Sequence, residues 1–125
     1  MLFLVVDDSM VARTMVNNVL EPMGHEVIQA GNGQEALKIL DKLAREVGVV
    51  LLDWNMPIMN GFEALQAIRS NRYCDHISIL MVSTESEAEY IDRAMKAGAN
   101  GYLAKPFTKD ELIDKINSIV QSSSE

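Results

Sequence analysis

Val49 to Leu52 is an unbroken apolar run, VVLL, that leads directly into Asp53. A strand with one wet face alternates polar and apolar residues. A strand without alternation needs apolar cover on both faces, which is the setting of a strand inside a parallel sheet. Asp53 ends the run with a charge that is costly to bury without a partner. Met56-Pro57 then turns the chain, because proline disfavours helical backbone at the residue before it. Asn60-Gly61 opens a helical pattern, with Asn60 as N-cap. In open α/β sheets the carboxyl ends of the strands are where ligands bind, and Asp53 stands at one.

The same arrangement recurs along the chain. Leu2 to Val6 (LFLVV) ends in Asp7-Asp8, Ile79 to Val82 (ILMV) ends in Ser83-Thr84, and Gly101 to Ala104 ends in Lys105-Pro106-Phe107. A shorter strand, Glu26 to Ala30, leads into Gly31-Asn32-Gly33. Helical periodicity fills the intervals. The first helix is predicted from Met10 to Met23, capped by Ser9, with Val11, Met15, Val16, Val19 and Leu20 as its inward stripe. Pro22 frays its last turn and Gly24 ends it. Helices follow over Gln34 to Arg45, Gly61 to Asn71 and Glu87 to Ala97, and the closing helix is capped by Thr108 and runs to Val120. Met15 and Met95 read as core, His25 and His76 as isolated, and Cys74 carries no functional reading. The polar tail, residues 122–125, is predicted to be disordered, which leaves 1–121 as the domain.

Five strands alternating with five helices point to a doubly wound α/β fold. Right-handed crossovers then bring every strand's carboxyl end to one edge. Asp7, Asp8, Asp53, Ser83, Thr84 and Lys105 become neighbours there, although they are far apart in sequence.

Composition narrows what such an edge serves. A chain of 125 residues is one domain. A net charge of −7 argues against sequence-independent binding to nucleic acid or to an anionic membrane. The apolar runs are strand-sized, so none spans a bilayer. Cys74 is the only cysteine, which fits a reducing cytoplasm.

Taken singly, an Asp pair before a helix is often a cap, and a lysine before proline is often a solvated loop residue. Their conjunction at four strand ends is what calls for chemistry. Three clustered carboxylates repel one another and call for a cation. Oxygen donors alone suit a hard divalent ion such as Mg²⁺. With Lys105 and a hydroxyl beside it, the cluster forms a receptor for a phosphoryl group, and one carboxylate can attack phosphorus.

The segments LVVDDS, AGNGQEAL, LLDWNMPIMNG, ILMVST and AGANGYLAKPFT span nearly the whole chain in order. Together they resemble the receiver domains of two-component response regulators, most closely the single-domain chemotaxis type. The resemblance implies a flavodoxin-like fold with strand order 2-1-3-4-5. By the same resemblance Asp53 is the phosphoacceptor, and Asp7 and Asp8 are the acidic pair that holds Mg²⁺ with the backbone carbonyl of Asn55. Ser83 and Lys105 contact the phosphoryl group, Tyr102 is the aromatic switch, and Lys105-Pro106 is cis. A sensor histidine kinase or phosphotransfer protein is the implied donor. A downstream effector protein would bind the face formed by residues 87–97, 101–104 and 108–120, with the domain a monomeric cytoplasmic switch rather than a metabolic enzyme. Thr84 departs from the family's usual small residue, and its bulk is expected to restrict the inward swing of Tyr102. Asn60 stands where aspartate is common, and Val47-Gly48 where proline-aspartate is frequent. Two rivals remain: a metal-dependent phosphohydrolase, which needs an acid-base carboxylate soon after its nucleophile, and a receiver that has lost phosphorylation.

Overall fold

The apolar runs do become the middle layer of a sandwich. The computed structural model describes residues 1–123, with side chains described as far as Val120. Its strands are β1 (Leu2–Val6), β2 (Glu26–Ala30), β3 (Val47–Leu52), β4 (Ser78–Ser83) and β5 (Gly101–Ala104). All neighbours pair in parallel, in the order β2-β1-β3-β4-β5. The helices are α1 (Met10–Leu20), α2 (Gly33–Leu43), α3 (Gly61–Arg69), α4 (Ala88–Lys96) and α5 (Lys109–Ser123).

Successive side chains of a strand point to opposite faces, and both faces are dry here. Phe3, Val5, Val49, Leu51, Leu80 and Val82 pack against Val16 and Leu20 of α1 and Leu112, Ile116 and Ile119 of α5. Leu4, Val6, Val50, Leu52, Ile79 and Met81 pack against α2, α3 and α4 on the other side. That two-sided burial is why these strands carry no polar alternation.

Several element limits move from expectation. The chain leaves α-helical geometry at Leu20 and makes a 3-10 turn over Glu21–Met23, where Pro22 lacks the amide an α-helix would use. Gly24 follows at φ +91°, the left-handed conformation glycine adopts without steric cost. The inward stripe of α1 is rotated from the predicted one. Val16 and Leu20 are buried, whereas Val11 and Met15 are 71% and 61% exposed. Met95 of α4 is also exposed rather than core. Apolar spacing identifies a helix but does not by itself fix its rotation about the sheet. At its other end α5 runs to Ser123, two residues past the predicted domain limit at 121. Neither Gly nor Pro follows Val120 to stop the helix. Residues 124–125 lie outside the described residues.

Asn60 forms the capping box of α3. Its Oδ1 accepts from the Glu63 amide at 2.8 Å, and the Glu63 carboxylate accepts from the Asn60 amide at 3.0 Å. At the far end of α3 one side chain ties several loops together. The Arg69 guanidinium donates to the carbonyls of Gly98 (2.8 Å), Cys74 (3.1 Å) and Ile77 (2.8 Å), and to Asn100 Oδ1 (2.9 Å). Asn100 Oδ1 also accepts from the Ile79 amide at 2.7 Å, which joins the start of β4 to the approach to β5. Arg69→Met keeps the stem but strands these acceptors. It should lower stability by about 2–3 kcal/mol in urea titration, with the denaturant slope unchanged. A loss under about 0.5 kcal/mol would mean that water satisfies the carbonyls equally well.

Candidate functional site

Sheet register sets the site. Val6 of β1 pairs with Leu52 of β3, so Asp7 and Asp53 leave the sheet side by side. The Asp53 amide donates to the Val6 carbonyl at 3.0 Å, and the Asp7 amide donates to the Ala30 carbonyl at 3.1 Å. Both carboxylates are buried, Asp7 at 7% and Asp53 at 8% exposure, while Asp8 is exposed. Lys105 arrives from the end of β5, its amide donating to the Ser83 carbonyl at 2.8 Å. The Lys105-Pro106 bond is cis, as the resemblance implies.

The ammonium of Lys105 lies between the two buried acids, 2.6 Å from Asp7 Oδ2 and 3.4 Å from Asp53 Oδ2. Asp7 Oδ1 accepts from the Ser9 amide at 2.9 Å, so each of its oxygens already holds a donor. Burial raises the pKa of Asp53. The Lys105 charge works against that rise, and the Asp7 charge adds to it. For Lys105, burial lowers the pKa, but the hydrogen bond to Asp7 and the charges of Asp53 and Asp7 prevail, and the net shift is upward. A cavity of about 360 Å³ opens beside the acids, walled by apolar groups including Val6, Met15, Val82 and Phe107.

Carboxylate oxygens of Asp7, Asp8 and Asp53 all lie within 4.8 Å of one another. Three carboxylates against one ammonium leave an excess of two negative charges. With a donor set made only of oxygens, that excess fits a hard divalent cation. Asp8 is the exposed member of the three, beside the buried pair.

The remaining predicted residues divide. Ser83 is fully buried, and its Oγ accepts from the Glu85 amide at 3.1 Å. The Asn55 side-chain amide donates to Glu85 Oε1 at 3.0 Å. Tyr102 is already inward, its hydroxyl donating to the Glu85 carbonyl. Thr84 is exposed and lines the cavity beside Asp53, and Tyr102 is inward with that threonine in place. Glu85, by contrast, received no role from the sequence. It bonds through amide, carbonyl and carboxylate to Ser83, Tyr102 and Asn55. Its only sequence signal is its place two residues beyond Ser83. Gly61 likewise has a function beyond opening α3. A Cβ there would lie 1.8 Å from the Asp53 carbonyl oxygen, so only glycine lets the helix start against the strand end.

Comparison with known proteins agrees with this geometry. Residues 3–117 match the response regulator receiver domain family. The chain is 39% identical over 125 residues to the chemotaxis protein CheY homolog of Campylobacter jejuni, covering 99% of this chain and 95% of that protein. It is 40% identical over 121 residues to chemotaxis protein CheY1 of Helicobacter pylori, covering 96% and 97% respectively. The structure of chemotaxis response regulator CheY4 of Vibrio cholerae superposes with a TM-score of 0.87 at 38% identity, covering 94% of this chain and 97% of that one. With an acid cluster and a lysine at the strand ends of a 2-1-3-4-5 sheet, the chain belongs to the receiver domain family of two-component response regulators.

Proposed function

We propose that Asp53 is the phosphoacceptor of this receiver, and that phosphorylation there switches a protein-binding face. The observation that carries the reading is the position of Lys105, whose ammonium is 3.4 Å from Asp53 and 2.6 Å from Asp7 beside three clustered carboxylates.

An Asp53 carboxylate oxygen would attack phosphorus of a phosphohistidine on a sensor kinase or phosphotransfer protein. The new O–P bond forms as the P–N bond breaks, and the imidazole leaves with the electron pair. Lys105, already aimed at Asp53, neutralises charge on the transferred group. Ser83 Oγ accepts from the Glu85 amide, and its hydroxyl would turn to donate to a phosphoryl oxygen. Asp8, Asp53 and the Asn55 carbonyl would hold Mg²⁺, with Asp7 contributing through water. Bound there, the ion would offset the negative charge that the incoming phosphoryl group and the acceptor's carboxylates bring together. The phosphohydrolase alternative has no support from the residues after Asp53, where Trp54 and Asn55 supply no acid-base carboxylate. A role as an unphosphorylated interaction module makes no use of the Lys105 contacts.

The output follows from what touches Glu85. Ser83, Asn55 and Tyr102 all bond to it, so a displacement of Ser83 towards a phosphoryl group is felt by Tyr102 on β5. We assign the switched face to residues 87–97, 101–104 and 108–120, with an effector protein as its partner. Among the described residues no helix is long and apolar enough to cross a membrane.

Acetyl phosphate with Mg²⁺ should add one phosphoryl group to the intact protein by mass spectrometry, and Asp53→Asn should abolish the addition. Asp8→Asn should weaken Mg²⁺ binding about tenfold or more, followed through the fluorescence of Trp54. Undiminished labelling of Asp53→Asn would refute the assignment.

A pH experiment tests the electrostatics in metal-free protein. Because burial raises the Asp53 pKa, the folded state holds a proton that the unfolded chain has released. Stability therefore falls as pH rises from the ordinary carboxylate range through the raised value, and the penalty persists above it. Asp53→Asn lacks that penalty. It should be more stable than the unsubstituted protein at neutral pH, and the difference should vanish below the ordinary carboxylate range. A constant difference across that range would contradict the raised pKa.

A further inference from the structure

The residue after the nucleophile sits in an aromatic cluster that ordinary core packing does not require. Trp54 is buried and stacks on Phe62 of α3, with centroids 5.1 Å apart and planes at 16°. Tyr90 of α4 meets Trp54 edge-on at 5.1 Å and 85°. Arg93, one turn further along α4, places its guanidinium 4.6 Å from the Phe62 ring centroid and 5.4 Å from that of Trp54. Its charge has no competing claim. Among the described residues no carboxylate lies within ion-pair distance of Arg93, whereas the adjacent Asp92 pairs with Lys96 at 3.0 Å.

The core contact of α4 is modest. Only Ala94 among its residues is fully buried, Tyr90 and Ile91 are half-buried against the core, and Glu87 gives the helix no side-chain cap. The cluster adds to that contact, and its Trp54 and Phe62 rings belong to the β3–α3 segment. Two residues of α4 read the position of Trp54, and Trp54 is covalently next to Asp53.

We propose that Arg93 is a positioning residue that latches α4 to the nucleophile segment in the arrangement seen here, with Tyr102 inward and bonded to Glu85. The proposal rests on the phosphoacceptor reading above and adds the element through which α4 senses it. A planar guanidinium suits stacking over two rings, and an ammonium serves less well. A movement of α4 away from the sheet edge would have to break the contacts of both Arg93 and Tyr90 with Trp54. By linkage, a contact that favours the arrangement with Tyr102 inward raises the apparent affinity for a phosphoryl group to the extent that the group binds that arrangement more tightly.

The test compares the unsubstituted protein with Arg93→Ala, Arg93→Gln and Arg93→Lys. Beryllofluoride with Mg²⁺ serves as the phosphoryl analogue, and binding is followed by fluorine NMR and calorimetry. Arg93→Ala and Arg93→Gln should each weaken beryllofluoride binding about two- to fivefold, the range of one exposed cation–π contact, while Mg²⁺ affinity stays unchanged. Arg93→Lys should recover part of the loss. Quenching of Trp54 by acrylamide should rise in Arg93→Ala without any ligand, and because Trp54 is the only tryptophan the signal is unambiguous. Unchanged or tighter beryllofluoride binding in Arg93→Ala overturns the latch. Failure of the unsubstituted protein to bind beryllofluoride overturns the phosphoacceptor reading, and the latch with it.

Discussion

Two carboxylates buried side by side would not persist without a positive charge between them, and Lys105 supplies it. Its ammonium reaches Asp7 at 2.6 Å and Asp53 at 3.4 Å, at the junction of β1, β3 and β5. The contact is unequal, and the inequality has chemical meaning. Asp7 is engaged on both oxygens, by Lys105 and by the Ser9 amide, while Asp53 is held more loosely and its pKa is raised by burial. A fully satisfied carboxylate is a poor nucleophile, and an unsatisfied one is a destabilising charge. The site leaves Asp53 between these limits, with the excess negative charge awaiting a cation.

That arrangement depends on the sheet being parallel. Parallel pairing of β1, β3, β4 and β5 delivers four unrelated sequence positions to one edge, and crossover helices keep both faces dry. The apolar strands therefore hold the site's geometry as well as the fold's stability. The dry surroundings raise the energetic stakes of every charge at the edge.

Much of this was legible in the sequence because the signals are local. LFLVV and GYLA begin and end where β1 and β5 do, and the polar residue after each run is the one that enters the site. Parallel topology then supplied the convergence. The misses share a different origin. Val11 and Met15 have the spacing of a buried stripe, but which side of a helix meets the sheet is decided by packing across the chain. That Thr84 is exposed at the end of a buried strand is likewise a matter of packing, which its bulk does not foretell. Arg69 and Glu85 act through partners separated in sequence by 5 to 31 residues and by 2 to 30 residues, respectively, and neither falls in an apolar pattern that periodicity would detect.

Gly61 gives the site a mechanical asymmetry. Its backbone lies so close to the Asp53 carbonyl that no side chain fits, and its amide donates to the Trp54 carbonyl at 2.8 Å. The loop that leaves Asp53 thus closes back on its own starting point, and the start of α3 backs Asp53 as a fixed wall. Opposite it, the β4 end is tied by hydrogen bonds instead: the Ser83 carbonyl accepts from the Lys105 amide, and Glu85 bonds to Ser83, Asn55 and Tyr102. A group that adds bulk at Asp53 cannot push towards α3, so a chemical event at one atom acquires a direction, away from that wall and towards the cavity.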